Sequence, residues 1–138
     1  MKIIDAQVHI WTKTVTAPSG LHRKVAAFTA EDCLKEMDEA GGDAALIHPP
    51  AGWDPDANAY AVESAARYPD RYAVMGQFPL RDPQNRKLIH GWRDQPGMMG
   101  LRWAFLSPEQ QVWLHDGSLD WLWLAAGQEG VSVARMGG

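Results

Sequence analysis

Asp5, Gln7 and His9 stand two residues apart in the segment IIDAQVHIW, Ile3 to Trp11. The residues that alternate with them, Ile4, Ala6, Val8 and Ile10, are apolar. Such alternation reads as a β-strand with one polar side. An acid, an amide and an imidazole along a buried strand are costly unless they pair or bind something. His9 is the versatile member. It can move a proton near neutral pH, polarise a carbonyl, or ligate zinc. A metal reading makes His9 the ligand to a divalent ion such as zinc, but Gln7 is a weak companion. Its amide oxygen is neutral, and zinc favours nitrogen or sulfur donors. Without metal, His9 with Gln7 would polarise a substrate carbonyl or orient water. The plainer alternative is that the three groups hydrogen-bond one another and nearby loops.

A second candidate is Arg102. In GLRWAF, Leu101, Trp103 and Phe105 share one side of a strand, while Arg102 and Ala104 share the other. If the large apolar residues pack under helices, Arg102 faces the opposite side, toward the polar groups of the first strand. A guanidinium grips a carboxylate in two-point geometry, so Arg102 is a candidate to hold a carboxylate. The competing role is an ion pair with Asp5 or another core acid. Trp11 lies just past His9 and would border the same site. His48 closes an apolar run before Pro49-Pro50, as a satisfied rim histidine or as a ligand. Gln77 ends a third apolar run, where it would hydrogen-bond substrate or simply meet solvent. His22 and Arg23 fall in a long loop and read as solvated; His90 and His115 read as surface residues. Cys33 sits in a helical stripe with no base beside it, which argues against a nucleophile. Trp113, Trp121 and Trp123 read as core.

These residues need elements to hold them. KIIDAQVHI reads as a strand, followed by a loop with Pro18, Ser19 and Gly20. TAEDCLKEMDEAGG reads as a helix capped by Thr29 and closed by Gly41 or Gly42, with Cys33, Leu34, Met37 and Ala40 as its buried stripe. DAALIHPP is a short apolar run without alternation, the pattern of a parallel strand covered on both faces. A second helix starts at Asp54-Pro55, buries Ala57, Tyr60, Ala61, Ala65 and Tyr68, and stops at Pro69. RYAVMGQFP is the third strand. RDPQNRKLIHGW reads as a helix with Leu88 and Trp92 one turn apart, and MMGLRWAF is the fourth strand. GSLDWLWLAAGQEG reads as a helix capped by Ser118 and ended by Gly130, and VSVARM is the fifth strand.

The order is five strands with four helices between them. Strand starts near residues 3, 44, 72, 99 and 131 fit successive right-handed crossovers. An open doubly wound sheet and a (β/α) barrel both use this order. The first loop lacks the glycine-rich phosphate turn of a dinucleotide-binding sheet. A full barrel takes about 250 residues, so 138 residues are expected to form one domain, 1–138, holding about half of one. The chain therefore reads as the front part of a barrel with RMGG as an abrupt stop, or else as a complete five-stranded open domain.

Composition sets further bounds. The chain is 46% apolar and 22% charged with a net charge of -4. No basic cluster exceeds HRK at His22 to Lys24, so no nucleic-acid partner is expected. One cysteine rules out an internal disulfide and suits a reducing compartment. No signal-peptide layout or membrane-length apolar run is visible, so a cytoplasmic protein with no membrane partner is expected. Seven tryptophans, concentrated from Trp92 onward, call for a sizeable surface to pack against. Exposed edges and that tryptophan-rich half make a homo-oligomer an expectation too.

IIDAQVHIW resembles the first-strand motif of the amidohydrolase-related family, whose usual pattern is Asp-x-His-x-His. EMDEAGGDAALIHPP, YPDRYAVMGQFPL and PGMMGLRWAF resemble successive helix–strand junctions of its lactonase, pyrone-dicarboxylate hydrolase and resorcylate decarboxylase-like branch. The resemblance runs from residue 2 to about residue 133 and covers the front half of that family's barrel. It implies a TIM-barrel-like metal-dependent hydrolase fold and a hydrolase of lactones or related small carboxylated cyclic compounds. Arg102 takes the place of the family's carboxylate or lactone anchor. Gln7 replaces the first histidine, and the later histidine and aspartate have no counterpart. Weak or no activity is therefore expected of this chain alone. The alternatives are a non-catalytic truncated barrel, a small-ligand binding module, or a metal-dependent decarboxylase of aromatic acids.

Overall fold

The structure, a computed structural model, describes residues 1–13, 25–50, 54 and 56–136. Its strands are β1 (Ile4–Val8), β2 (Ala44–Ile47), β3 (Tyr72–Gly76), β4 (Met98–Ala104) and β5 (Ser132–Met136). Its α-helices are α1 (Ala30–Ala40), α2 (Ala57–Arg67), α3 (Pro108–Trp113) and α4 (Asp120–Gln128). All strand pairs are parallel, in the spatial order β1-β2-β3-β4-β5. Sequential order with crossovers of one hand puts every helix on the same face. A doubly wound sheet would reverse order partway. The chain thus forms a half-barrel with helices on the outside, as the spacing of its strands implies.

Local chemistry explains most element ends. Thr29 Oγ1 accepts the Asp32 N–H at 3.1 Å while the Asp32 carboxylate accepts the Thr29 N–H at 2.9 Å. This reciprocal cap starts α1. Gly41, at φ 77°, ends it in a conformation that favours glycine. Asp54 Oδ1 accepts the Asp56 N–H at 2.9 Å just ahead of α2; Pro55, read as its first residue, lies outside the described residues. So do the loop residues Pro18 to Gly20 and the cluster His22, Arg23 and Lys24.

Three expectations change. The segment after β3 is not an α-helix but two 3₁₀ turns, Pro83–Ile89 and Trp92–Asp94, broken at Gly91 with φ 65°. Ile89 and Trp92 are buried three residues apart, and Leu88 is exposed. A three-residue repeat lines up that pair, where an α-helical one selects Leu88. Ser118 does not cap α4: its own N–H donates to Asp116 Oδ1 at 2.8 Å, and the capping position, Leu119, has no side-chain cap. Finally, α3 went unread although its signal is local. Ser107 and Gln110 cap each other around Pro108 in SPEQ.

One continuous core fills the space between sheet and helices. Ala45, Ile47, Val74, Phe78, Leu101, Trp103 and Phe105 meet Cys33, Met37, Ala61, Ile89, Trp92 and Leu122. Trp103 and Trp92 both pack edge-on against Phe78, with ring centroids 5.3 and 5.5 Å apart. Their indole N–H groups donate to Phe78 O and Gly100 O, so both rings bury their apolar area with the polar atom satisfied. Gly100 is obligatory for packing: a Cβ there would stand 2.3 Å from Ser132 O in β5. Trp113 and Trp121 are only half-buried and Trp123 is exposed, so that trio is less a core than its apolar character suggests.

β1 departs furthest from expectation. It is an edge strand, exposed from Ile4 to Gln7. Ile4, expected under the helices, is 59% exposed. No described helix is long and apolar enough to cross a membrane.

Candidate functional site at the inner face of the sheet

The aim of each polar group follows from register. Ile4 and Asp5 pair with Ala44 and Ala45, but Val8 pairs with Ile47. Ala6 and Gln7 together therefore oppose Leu46, which is a β-bulge. A bulge shifts the alternation by one residue. Asp5 stands beside Ala45, a core residue, and its charge reaches Cys33 of α1. Val8 and Ile10 pack on the helix side, so His9 points to the inner face. Asp5 and His9 thus take opposite faces. Gln7 is exposed within the bulge, and its N–H donates to Asp5 Oδ1 at 2.9 Å. The expected row of acid, amide and imidazole is not assembled, because one extra residue interrupts it.

What the inner face does assemble is His9, His48 and Arg102. His9 Nδ1–H donates to His48 O at 2.6 Å, and His48 Nε2–H donates to Ala6 O at 3.0 Å. Carbonyl acceptors fix both tautomers. His48 is only 6% exposed, and its Nδ1 is buried without a hydrogen-bond partner among the described residues. Burial first, and then the fields of Arg102 and His9, push its pKa below the ordinary histidine value, against the opposing pull of Ala6 O. The lowered pKa favours the neutral imidazole, whose Nδ1 is then an acceptor without a partner among the described residues. It is not the satisfied rim histidine that its position before two prolines suggests.

Arg102 alternates with Leu101 and Trp103 and is half-buried on the inner face. Burial holds its pKa down. Its recorded hydrogen bond goes to Met136 Sδ at 3.8 Å, a weak acceptor. Among the described residues no carboxylate lies in salt-bridge range of Arg102. The ion pair with Asp5 is not formed. A desolvated guanidinium without a counter-charge is a ready partner for an anion.

Trp11 and Gln77 are placed otherwise. Trp11 is 7% exposed, bridges to Phe28 through the backbone, and packs tilted against its ring with centroids 5.9 Å apart. It is committed to packing. Gln77 Nε2 donates to Pro49 O at 2.6 Å and its N–H donates to Asn58 Oδ1 at 3.0 Å. It braces the loop after β2 and also lines a cavity of about 540 Å³ past the ends of β3 and β4. That cavity does not include His9, His48 or Arg102. Sequence reasoning overlooked Asp54, a fully buried acid after β2. Its carboxylate is occupied by N–H groups of Asp56 and Thr12, and the Asp-Pro pair was its visible signal.

The donor set does not fit a zinc centre. Catalytic zinc takes three protein ligands. Among the described residues no group of three or more His, Cys, Asp or Glu side chains could hold a metal ion. His9 and His48 are two imidazoles, and the Arg102 field beside them opposes a cation. The reading of His9 as a zinc ligand lacks companions here.

No family model matches the chain, and no curated protein matches it. Solved structures do. A probable 2-pyrone-4,6-dicarboxylic acid hydrolase from Acinetobacter baumannii, with citric acid bound, aligns at TM-score 0.63 and 15% identity over 98% of this chain and 49% of its own. An amidohydrolase from Burkholderia multivorans with bound HEPES aligns at TM-score 0.75 and 17% identity, over 96% and 47%. An amidohydrolase from the same organism with bound zinc aligns at 0.72 and 17%, over 94% and 47%. The chain thus spans about half the length of the structures it matches. At such identities the likeness is one of fold: the chain folds as about half of the barrel that those structures form.

Proposed function

We propose that this chain carries the carboxylate-binding half of an amidohydrolase-type hydrolase acting on lactones or related small carboxylated cyclic compounds. The observation that carries the reading is Arg102: half-buried on the inner face, without an acid partner among the described residues, and beside two imidazoles. The barrel neighbours and the resemblance of IIDAQVHIW supply the reaction class. Arg102 would grip a substrate carboxylate through two N–H groups. His9, on the same face, would polarise the lactone carbonyl, and His48 would hold the Ala6 carbonyl beside it. The buried acid Asp54 is engaged by backbone N–H groups, so it is a poor general base. Turnover by this chain alone is therefore expected to be weak or absent, while binding persists.

The test is calorimetric titration with 2-pyrone-4,6-dicarboxylate, the compound named for the Acinetobacter neighbour, with absorbance to follow ring opening. Wild-type chain should bind, and Arg102→Ala should weaken binding at least tenfold, about 1.4 kcal/mol. Equal affinity in the two proteins would end the proposal. The donor shortage weighs against the metal-dependent decarboxylase alternative.

A further inference from the structure

A second arginine-lined feature lies past the ends of β3 and β4, in a cavity that Arg102 does not line. The cavity past β3 and β4 is walled by Phe78, Leu88, Trp103 and Trp113, with Arg81 on its rim. A smaller hollow of about 250 Å³ adjoins it through Leu80 and Arg81, and is lined also by Arg86, Ser118 and Trp121. The two make one groove between the 3₁₀ segment on one side and α3 and α4 on the other. Each arginine rests on a tryptophan: Arg81 lies 5.3 Å from the Trp113 ring centre, and Arg86 lies 5.1 Å from that of Trp121.

Stacking fixes the plane of a guanidinium while leaving its N–H edge available. Among the described residues, neither arginine is in an ion pair. One acid that feels the Arg81 field is Asp116, whose carboxyl is held below its usual range by Ser118 first and by Arg81 to a lesser degree. It also accepts the Ser118 N–H at 2.8 Å. That acid is engaged by Ser118 and is in no ion pair with either arginine.

We propose that this groove binds an amphipathic carboxylate, with its apolar body in the Phe78–Trp103 cavity and its head between Arg81 and Arg86. About 540 Å³ is an ordinary size for a small-molecule pocket, which falls within about 300–1,000 Å³. An apolar wall with a few fixed cationic donors at one end selects a ligand with the same asymmetry. The cavity is lined also by Gln77 and Ala104 but not by His9, His48 or Arg102, so the proposal does not depend on the hydrolase reading.

The test uses 1-naphthaleneacetate and its uncharged amide, read by NMR at the Trp103 indole N–H, which donates to Phe78 O at 2.9 Å. The acid should shift that signal and bind at least tenfold tighter than the amide. An Arg81→Gln/Arg86→Gln variant should lose that preference while its other indole signals stay in place. Arg102→Ala should bind the acid like wild type. No shift with either compound, equal affinity for acid and amide, or loss of binding in Arg102→Ala would each overturn the proposal. Failure of the pyrone titration alone would leave this site standing.

Discussion

Leu101 and Arg102 are neighbours in β4, yet they belong to two different surfaces. Leu101 is completely buried against the helices. Arg102 faces inward, with a sulfur atom as its recorded partner. The helix side is filled, interlocked and apolar. The inner side gathers two imidazoles and a guanidinium among small or flexible residues. The contrast teaches that the outer surface of this sheet carries the stability, while the inner one holds polar groups, among them an arginine with no acid partner among the described residues.

Mutations at adjacent positions can break that division. Leu101→Ala should cost the most, about 2–5 kcal/mol, since it empties a filled site; urea denaturation at neutral pH measures it. Gly100→Ala should follow at about 1–3 kcal/mol, because the new methyl meets backbone of β5 that cannot yield cheaply. Amide exchange should localise that damage to β5. Arg102→Ala should change stability by no more than about 0.5 kcal/mol, and a loss as large as that of Leu101→Ala would erase the distinction between the two faces. The subtlest effect is that of pH. The His48 pKa is lowered in the folded chain, so the unfolded state takes up its proton first as pH falls. Stability should therefore decline as pH drops below the ordinary value of 6.5. His48→Gln should flatten that decline relative to wild type; an unchanged slope would mean that His48 is not held neutral.

The same two surfaces explain what could be read in advance. β4 alternates strictly beyond Gly100, so the inward aim of Arg102 was legible from Leu101, Trp103 and Phe105 alone. Strand order and parallel pairing were legible too, from spacing and from the apolar run Ala44 to Ile47. β1 misled because alternation in sequence survives a bulge while alternation in space does not. Asp5 and His9 look like companions on paper and take opposite faces in the fold. The unpartnered nitrogen of His48 was out of reach for a related reason: it depends on a carbonyl of another strand. The segment after Pro83 was misread because its buried residues, Ile89 and Trp92, lie in two 3₁₀ turns separated at Gly91 rather than on one helix. Helix α3 was an oversight rather than a limit, since Ser107 and Gln110 announce it.

The surplus residue in the first strand has a chemical price as well as a geometric one. Removing Ala6 would let Ile4, Asp5, Gln7 and Val8 match Ala44 to Ile47 one for one. The same deletion would take away the oxygen that receives the Nε2 proton of His48. The kink thus exchanges a tidy hydrogen-bond ladder for control over which nitrogen of a distant imidazole stays bare. A shortened chain should gain edge pairing and lose that control, which ¹⁵N shifts of the ring would report.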